Sequence, residues 1–172
     1  MKWILWIFAV LGGISMLITL VGYLLPKEHT VTRAARFHQP PEVVWKTITN
    51  IEAMPSWRQG LKSVTRLPEK NGLPAWVETL DSGIIPLETV ALRPPSKLIV
   101  RIADPKLPFG GTWTYEIMPL SSGSTLRIRE DAEIHNPIFR VLARFVFGYN
   151  ATIDTYLKSM AKTFGELPQM EN

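Results

Sequence analysis

Hydrophobic and polar positions divide this chain into an apolar block, a patterned middle and one long amphipathic stretch. From Trp3 to Leu25 the phenol of Tyr23 is the only ionisable side chain in 23 positions. Wound as a helix, such a run reaches about 34 Å, enough to cross a hydrocarbon core about 30 Å thick. A buried core helix of this length would carry a polar face, and this one carries none. Val21-Gly22-Tyr23-Leu24-Leu25-Pro26 has no A-x-A-like cleavage site, and a chain without cysteine has no lipoprotein signal. The pattern predicts an uncleaved transmembrane anchor over residues 3–25. Trp3, Trp6 and Tyr23 fall where interfacial aromatics belong, and Gly12, Ser15, Thr19 and Gly22 share one face that could seat a partner helix.

After a linker at 26–28 the pattern changes. Thr30 to His38 reads as a strand. Pro41 to Asn50 reads as a short helix, opened by proline and Glu42, with Val44, Trp45, Ile48 and Ile51 at helical spacing. A second short helical turn follows over Ile51 to Gly60. From Leu61 the period becomes two, predicting strands at Leu61–Leu67, Ala75–Leu80, Ile84–Leu92, Lys97–Ala103, Thr112–Met118 and Thr125–Ile134. Asn71-Gly72, Ser82-Gly83, Pro94-Pro95, Gly110-Gly111 and Ser122-Gly123 punctuate them. Asn136 and Pro137 then open a helix whose stripe runs through Ile138, Leu142, Phe145, Tyr149, Ile153, Leu157, Met160 and Phe164 to a stop at Gly165. Gly148 in its middle permits a bend or a close approach to the sheet. Short connections make the strands antiparallel neighbours. A twisted sheet of seven strands curls, and the long helix must bury its apolar face across the concave side, enclosing a cavity.

Composition adds limits. With Lys2 set aside there are 18 basic and 15 acidic residues, dispersed without a cluster, so nucleic acid is not implied as a partner. Residues 26–172 have the size of one domain, and no repeat or second composition regime divides them. Lys27, Arg33 and Arg36 after the anchor, against Lys2 and the amino terminus before it, tilt the balance toward a cytoplasmic domain. His29, His38 and His135 are scattered, cysteine is absent, and no Walker, Rossmann or G-x-S-x-G pattern occurs, so no metal or cofactor is implied.

Certain segments resemble a known family. Phe37-His38-Gln39-Pro40-Pro41-Glu42-Val43-Val44-Trp45 is similar to a strand, proline turn and "PxxVW" helix. Ile51-Glu52-Ala53-Met54-Pro55-Ser56-Trp57 resembles a "D/N-x-x-x-x-P-x-W" segment. Gly123-Ser124-Thr125-Leu126 is similar to a "GGT" turn, and Asn136-Pro137 opens the terminal helix. In this order they resemble the SRPBCC superfamily (START/Bet v 1-like), in its polyketide cyclase/dehydrase and lipid-transport-like branch. The resemblance spans residues 29–166 and leaves 167–172 as a tail. It implies an α+β helix-grip fold, here a seven-stranded curved antiparallel sheet wrapped on a long C-terminal helix, to which the one N-terminal transmembrane helix is an addition. Members bind lipids, sterols, polyketides or hormones, and some catalyse cyclisation or dehydration.

Strand alternation identifies candidate site residues. With a four-residue loop from Leu120 to Gly123, Ile117 pairs with Leu126, Tyr115 with Ile128 and Trp113 with Glu130, placing Glu130 alone among apolar inner-face neighbours. A carboxyl so placed is either paired structurally at the rim or held neutral, as a general acid or ligand donor requires. If Ser82-Gly83 is a two-residue loop, Asp81 faces Ile84, Val77 faces Glu88 and Glu78 faces Leu87, so Glu78 and Glu88 lie on opposite faces and form no carboxylate pair. The predicted cavity is lined by Trp57, Trp76, Trp113, Tyr115, Ile128, Glu130, Leu142, Phe145, Tyr149 and Ile153, and the loop Asp104 to Gly111 forms a lip. Together these features predict a single-pass protein of a bacterial inner or plasma membrane, binding an apolar small molecule (a lipid, isoprenoid or polyketide-like compound). The alternatives are a cyclase/dehydratase using Glu130, and an interaction module whose anchor pairs with another membrane protein.

Overall fold

The apolar opening block is helical throughout. In the computed structural model, which describes residues 2–171, α1 spans Lys2–Leu24. Its side chains are exposed except near the end, where Gly22 is buried. Strand β1 (Glu28–Phe37) starts four residues after α1 ends, and the carbonyl of Lys27 already accepts from the Ile134 amide at 2.8 Å. Helix α2 (Pro41–Thr49) begins on Pro41, and a 3-10 turn over Ile51–Ser56 follows it.

The meander comes next: β2 (Leu61–Lys70), β3 (Leu73–Leu80), β4 (Gly83–Arg93), β5 (Lys97–Ile102), β6 (Phe109–Pro119) and β7 (Ser124–Ile134). All pairs are antiparallel, in the order β2-β3-β4-β5-β6-β7-β1-β8. Register shifts in β2 and between Thr89 and Ala91 of β4 mark bulges, which bend strands and increase their twist.

The sheet has eight strands, not seven. Gln169–Glu171, within the expected tail, forms β8 on the free edge of β1, where Glu171 pairs with Arg36. Three residues carry too little alternation to declare a strand; the open edge of β1 recruits them. The turn between β3 and β4 also differs. Asp81-Ser82 forms the two-residue loop, so Leu80 pairs with Gly83, Glu78 with Ile85 and Ala75 with Glu88. Asp and Ser suit such turn positions, and the Asp81 amide is held by the Gly60 carbonyl at 3.1 Å. The slip of two residues preserves every face, so Glu78 and Glu88 still point to opposite sides.

The terminal helix is broken. Asn136 caps α3 (Pro137–Leu142), its side chain accepting from the amides of Ile138 and Phe139. A π-turn over Ala143–Phe147 follows, Gly148 turns the chain at φ 74°, and α4 (Ala151–Thr163) crosses the sheet. Only α4 buries a stripe, through Ile153, Tyr156, Leu157 and Met160. These pack with Ala35, Phe37, Leu126 and Ile128 of the sheet and Val44 and Ile48 of α2. The preceding stretch carries Arg140 and Arg144 among its large apolar residues and is cut off at Gly148, so its apolar positions do not continue the stripe of α4.

Candidate cavity between sheet and helix

Packing is complete near Ile128 and Ile153 but opens further along. Between the sheet and the α3–α4 bend lies a cavity of about 460 Å³. Leu87, Leu98, Val100, Trp76, Trp113 and Tyr115 form much of its wall, and Ile48 and Met54 close it from the helical side. Trp76, Glu78, Leu98 and Val100 in its lining are buried, whereas Phe139, Phe147 and Gly148 at the bend, Glu133 on β7 and Ser82 at the β3–β4 turn are exposed, so the cavity opens to solvent beside the bend.

Two polar features interrupt the apolar wall. Arg58, carried in by the 3-10 turn, donates from Nη1 to Oε1 of Glu78 on β3 at 2.7 Å. Their side chains are only 15% and 3% exposed. The Trp76 indole donates to the same oxygen at 3.3 Å, and the Arg58 guanidinium lies 5.3 Å from the Tyr156 ring centroid. Burial alone would push Arg58 down; Glu78, Tyr115 and Tyr156 beside it outweigh that and hold it above its ordinary value. Tyr156 meets Trp57, Trp113 and Tyr115 edge-on or tilted, and its buried hydroxyl has no hydrogen-bond partner among the described residues. Burial pushes both tyrosine hydroxyls up, so they remain neutral donors.

The second feature is Glu130. The β6–β7 register pairs Trp113 with Glu130, Tyr115 with Ile128 and Ile117 with Leu126. Glu130 lines the cavity without an ion-pair partner among the described residues. Burial pushes its carboxyl above the usual range, and the Trp113 indole beside it partly opposes the rise. His29, on β1, stacks on Tyr149 at 4.0 Å between centroids near the opening, and burial pushes its imidazole down.

Of the residues predicted to line a cavity, Trp76, Trp113, Tyr115, Glu130 and Tyr149 do so. Ile128 and Ile153 are instead fully buried in the core, and Trp57 packs on Tyr156 behind the wall. Leu142 and Phe145 are not part of the lining, because α3 and the π-turn present Phe139, Ala143 and Phe147 to it instead; Phe145 is exposed to solvent. The expected 104–111 lip contributes only Phe109, Gly110 and Gly111, which belong to β6. Leu107 and Pro108 are tied to His135 through their carbonyls. Arg58 was missed, although an arginine directly after Met54-Pro55-Ser56-Trp57 sits in an apolar setting. Glu88 lies outside the cavity on the other face, where Lys70 and Arg101 hold its carboxyl below the usual range.

The family described as polyketide cyclase / dehydrase and lipid transport matches residues 28–164, the whole of the sheet through β7 together with α2, α3 and α4. The chain belongs to it. This SRPBCC domain is of the ligand-binding or cyclase-like kind. Among solved structures it is similar to a conserved protein from Geobacillus kaustophilus (TM-score 0.68, 14% identity, covering 84% of this chain and 100% of that one). A START superfamily protein from Mycobacterium smegmatis is also similar (TM-score 0.65, 17% identity, 78% and 96% covered). So is the di-domain ARO/CYC StfQ from the steffimycin biosynthetic pathway (TM-score 0.59, 15% identity, 80% and 52% covered). At these identities the likeness is one of fold. No curated protein sequence matches the chain.

Proposed function

We propose that this protein is a membrane-tethered binder of an apolar small molecule carrying one hydrogen-bonding group, such as a lipid, isoprenoid or polyketide-like compound. The observation that carries the reading is an apolar-walled cavity of about 460 Å³, open at one side, with Arg58, Glu78 and Tyr115 on its wall. Ligand pockets are commonly about 300–1,000 Å³ with a few fixed polar groups in apolar surroundings. The Tyr115 hydroxyl and the Arg58 guanidinium are the donors available to a carbonyl or hydroxyl of the guest. The tether is α1, whose 23 residues are long and apolar enough to span a bilayer. Tethering raises the local concentration of any guest drawn from that bilayer. Native mass spectrometry of the full chain extracted in detergent, with identification of retained molecules, tests the binding. A protein that retains nothing and takes up no polarity-sensitive naphthalene probe would refute it. Retention of α1 in membranes through an alkaline wash tests the tether.

One observation favours a second reading. Glu130 is a cavity carboxyl held toward its neutral form, the state a general acid needs. In a cyclase or dehydratase it would hand its proton to a guest oxygen and take one back. A Glu130→Gln variant that still binds the guest but loses turnover, with loss of one limb of the pH–rate profile, would select this reading.

A further inference from the structure

The end of α1 is fastened to the domain at the cavity opening. Arg140 of α3 is only 3% exposed and donates to three carbonyls: Gly22 of α1 at 3.0 Å, Ile134 at 2.8 Å and His135 at 2.9 Å. Gly22 itself lies so close to Pro137 that a Cβ there would come within 2.1 Å of the Pro137 carbonyl oxygen. Packed helices keep their axes about 8–10 Å apart, so α3 stays within one helix width of the last turn of α1.

Beyond α3 the chain presents apolar groups that nothing in the fold covers. Phe145, Val146 and Phe147 are 66%, 64% and 65% exposed, and Phe139 is close to half exposed. Phe139 and Phe147 also line the cavity, so the uncovered surface borders its opening. From Pro137 to Tyr149 there is no acidic residue; the one exposed charge is Arg144, whose guanidinium lies over Tyr149. An exposed apolar patch of this kind marks an interaction surface, and phenylalanines flanked by a lone arginine suit a lipid interface.

We infer that the α3–π-turn segment dips into the bilayer beside α1, so that the cavity opens into the lipid leaflet and not into water. The inference rests on the proposed tether. If α1 crosses a hydrocarbon core about 30 Å thick, its last turn ends at the boundary of that core. The Arg140 and Gly22 contacts then hold the phenylalanines at that depth. Arg140 is tolerated there because three carbonyls satisfy its guanidinium.

The chain has no cysteine, so single labels can be placed without background. Phe145→Cys and Phe147→Cys, with Val146→Cys as a replacement if either fails to fold, carry a nitroxide in full-length protein reconstituted into phosphatidylcholine–phosphatidylglycerol vesicles. Leu11→Cys in α1 and Ser122→Cys at the β6–β7 turn are the references. Power saturation should find the labels at 145 and 147 more accessible to oxygen than to a water-soluble nickel chelate, as at 11 and opposite to 122. Labels at 145 and 147 that behave as at 122, with 11 in lipid, would overturn the inference and leave the tether standing. A water-like label at 11 would remove the tether and the inference with it.

Discussion

Replacing Glu78 by leucine strands a buried cation. The native carboxylate is the ion-pair partner of Arg58 and also accepts from the Trp76 indole, and neither member of the pair has much access to water. Removing one partner of a buried pair costs about 3–5 kcal/mol, because the remaining charge loses its compensation. Arg58 keeps slightly more exposure than Glu78, through the cavity, so the lower end applies, about 3 kcal/mol. For a chain of this size that lowers the thermal midpoint by roughly 6–12 °C. The double variant Arg58→Met/Glu78→Leu removes both charges and should return to within about 1 kcal/mol of the native protein, since apolar replacement of a whole buried pair is close to neutral. Thermal unfolding of the full chain in detergent, followed by near-ultraviolet circular dichroism, measures both. A single variant within about 2 °C of native, or a double variant no better than the single, would refute the assignment of Arg58–Glu78 as a desolvated pair.

Glu130→Gln should raise the unfolding temperature at neutral pH. The folded-state value of Glu130 lies above its ordinary 4.5, so its contribution is full below pH 4.5 and is lost as pH rises through the folded value; the advantage of glutamine should vanish in acid. Glu88 behaves oppositely: its folded value is depressed, so its contribution is present above pH 4.5 and lost as pH falls through that depressed value. Glu88→Gln should cost about 1 kcal/mol at neutral pH, because its two cationic partners are more than half exposed, and nothing in strong acid, as denaturant titrations at several pH values would reveal. Gly22→Val forces α1 away from Pro137 and should speed tryptic cleavage after Lys27; an unchanged cleavage rate would contradict the close contact.

Much of the sheet could be read from the residues because alternation and turn chemistry agree there. The β6–β7 hairpin was legible to the exact pairing of Trp113 with Glu130, since the four-residue loop from Leu120 to Gly123 sets the register and the apolar alternation of both strands agrees with it. The β3–β4 hairpin was off by two residues, because Asp81, Ser82 and Gly83 all suit a turn and a slip of two costs no face exchange. The cavity wall was legible where sheet residues form it and illegible where helices do. From Ile138 to Phe147 large apolar residues surround Arg140 and Arg144, so the sequence does not fix which face docks, and the break at Gly148 separates this stretch from the stripe of α4. Arg58 and Arg140 escaped notice because Glu78 lies 20 residues from Arg58, and the partners of Arg140 are backbone carbonyls, one of them 118 residues away, which no side-chain pattern reveals.

Arg140 ties the Gly22 carbonyl of α1 to those of Ile134 and His135 in the domain, and that bears on reach. With β1 starting four residues beyond the end of α1 and Lys27 already bonded to Ile134, little slack exists on which the domain could swing. On the proposed tether, a protein jointed this way serves the patch of bilayer around its own foot. It would not reach across a gap to an opposing membrane, so a bound guest would pass to a partner in the same plane or one that arrives from solution.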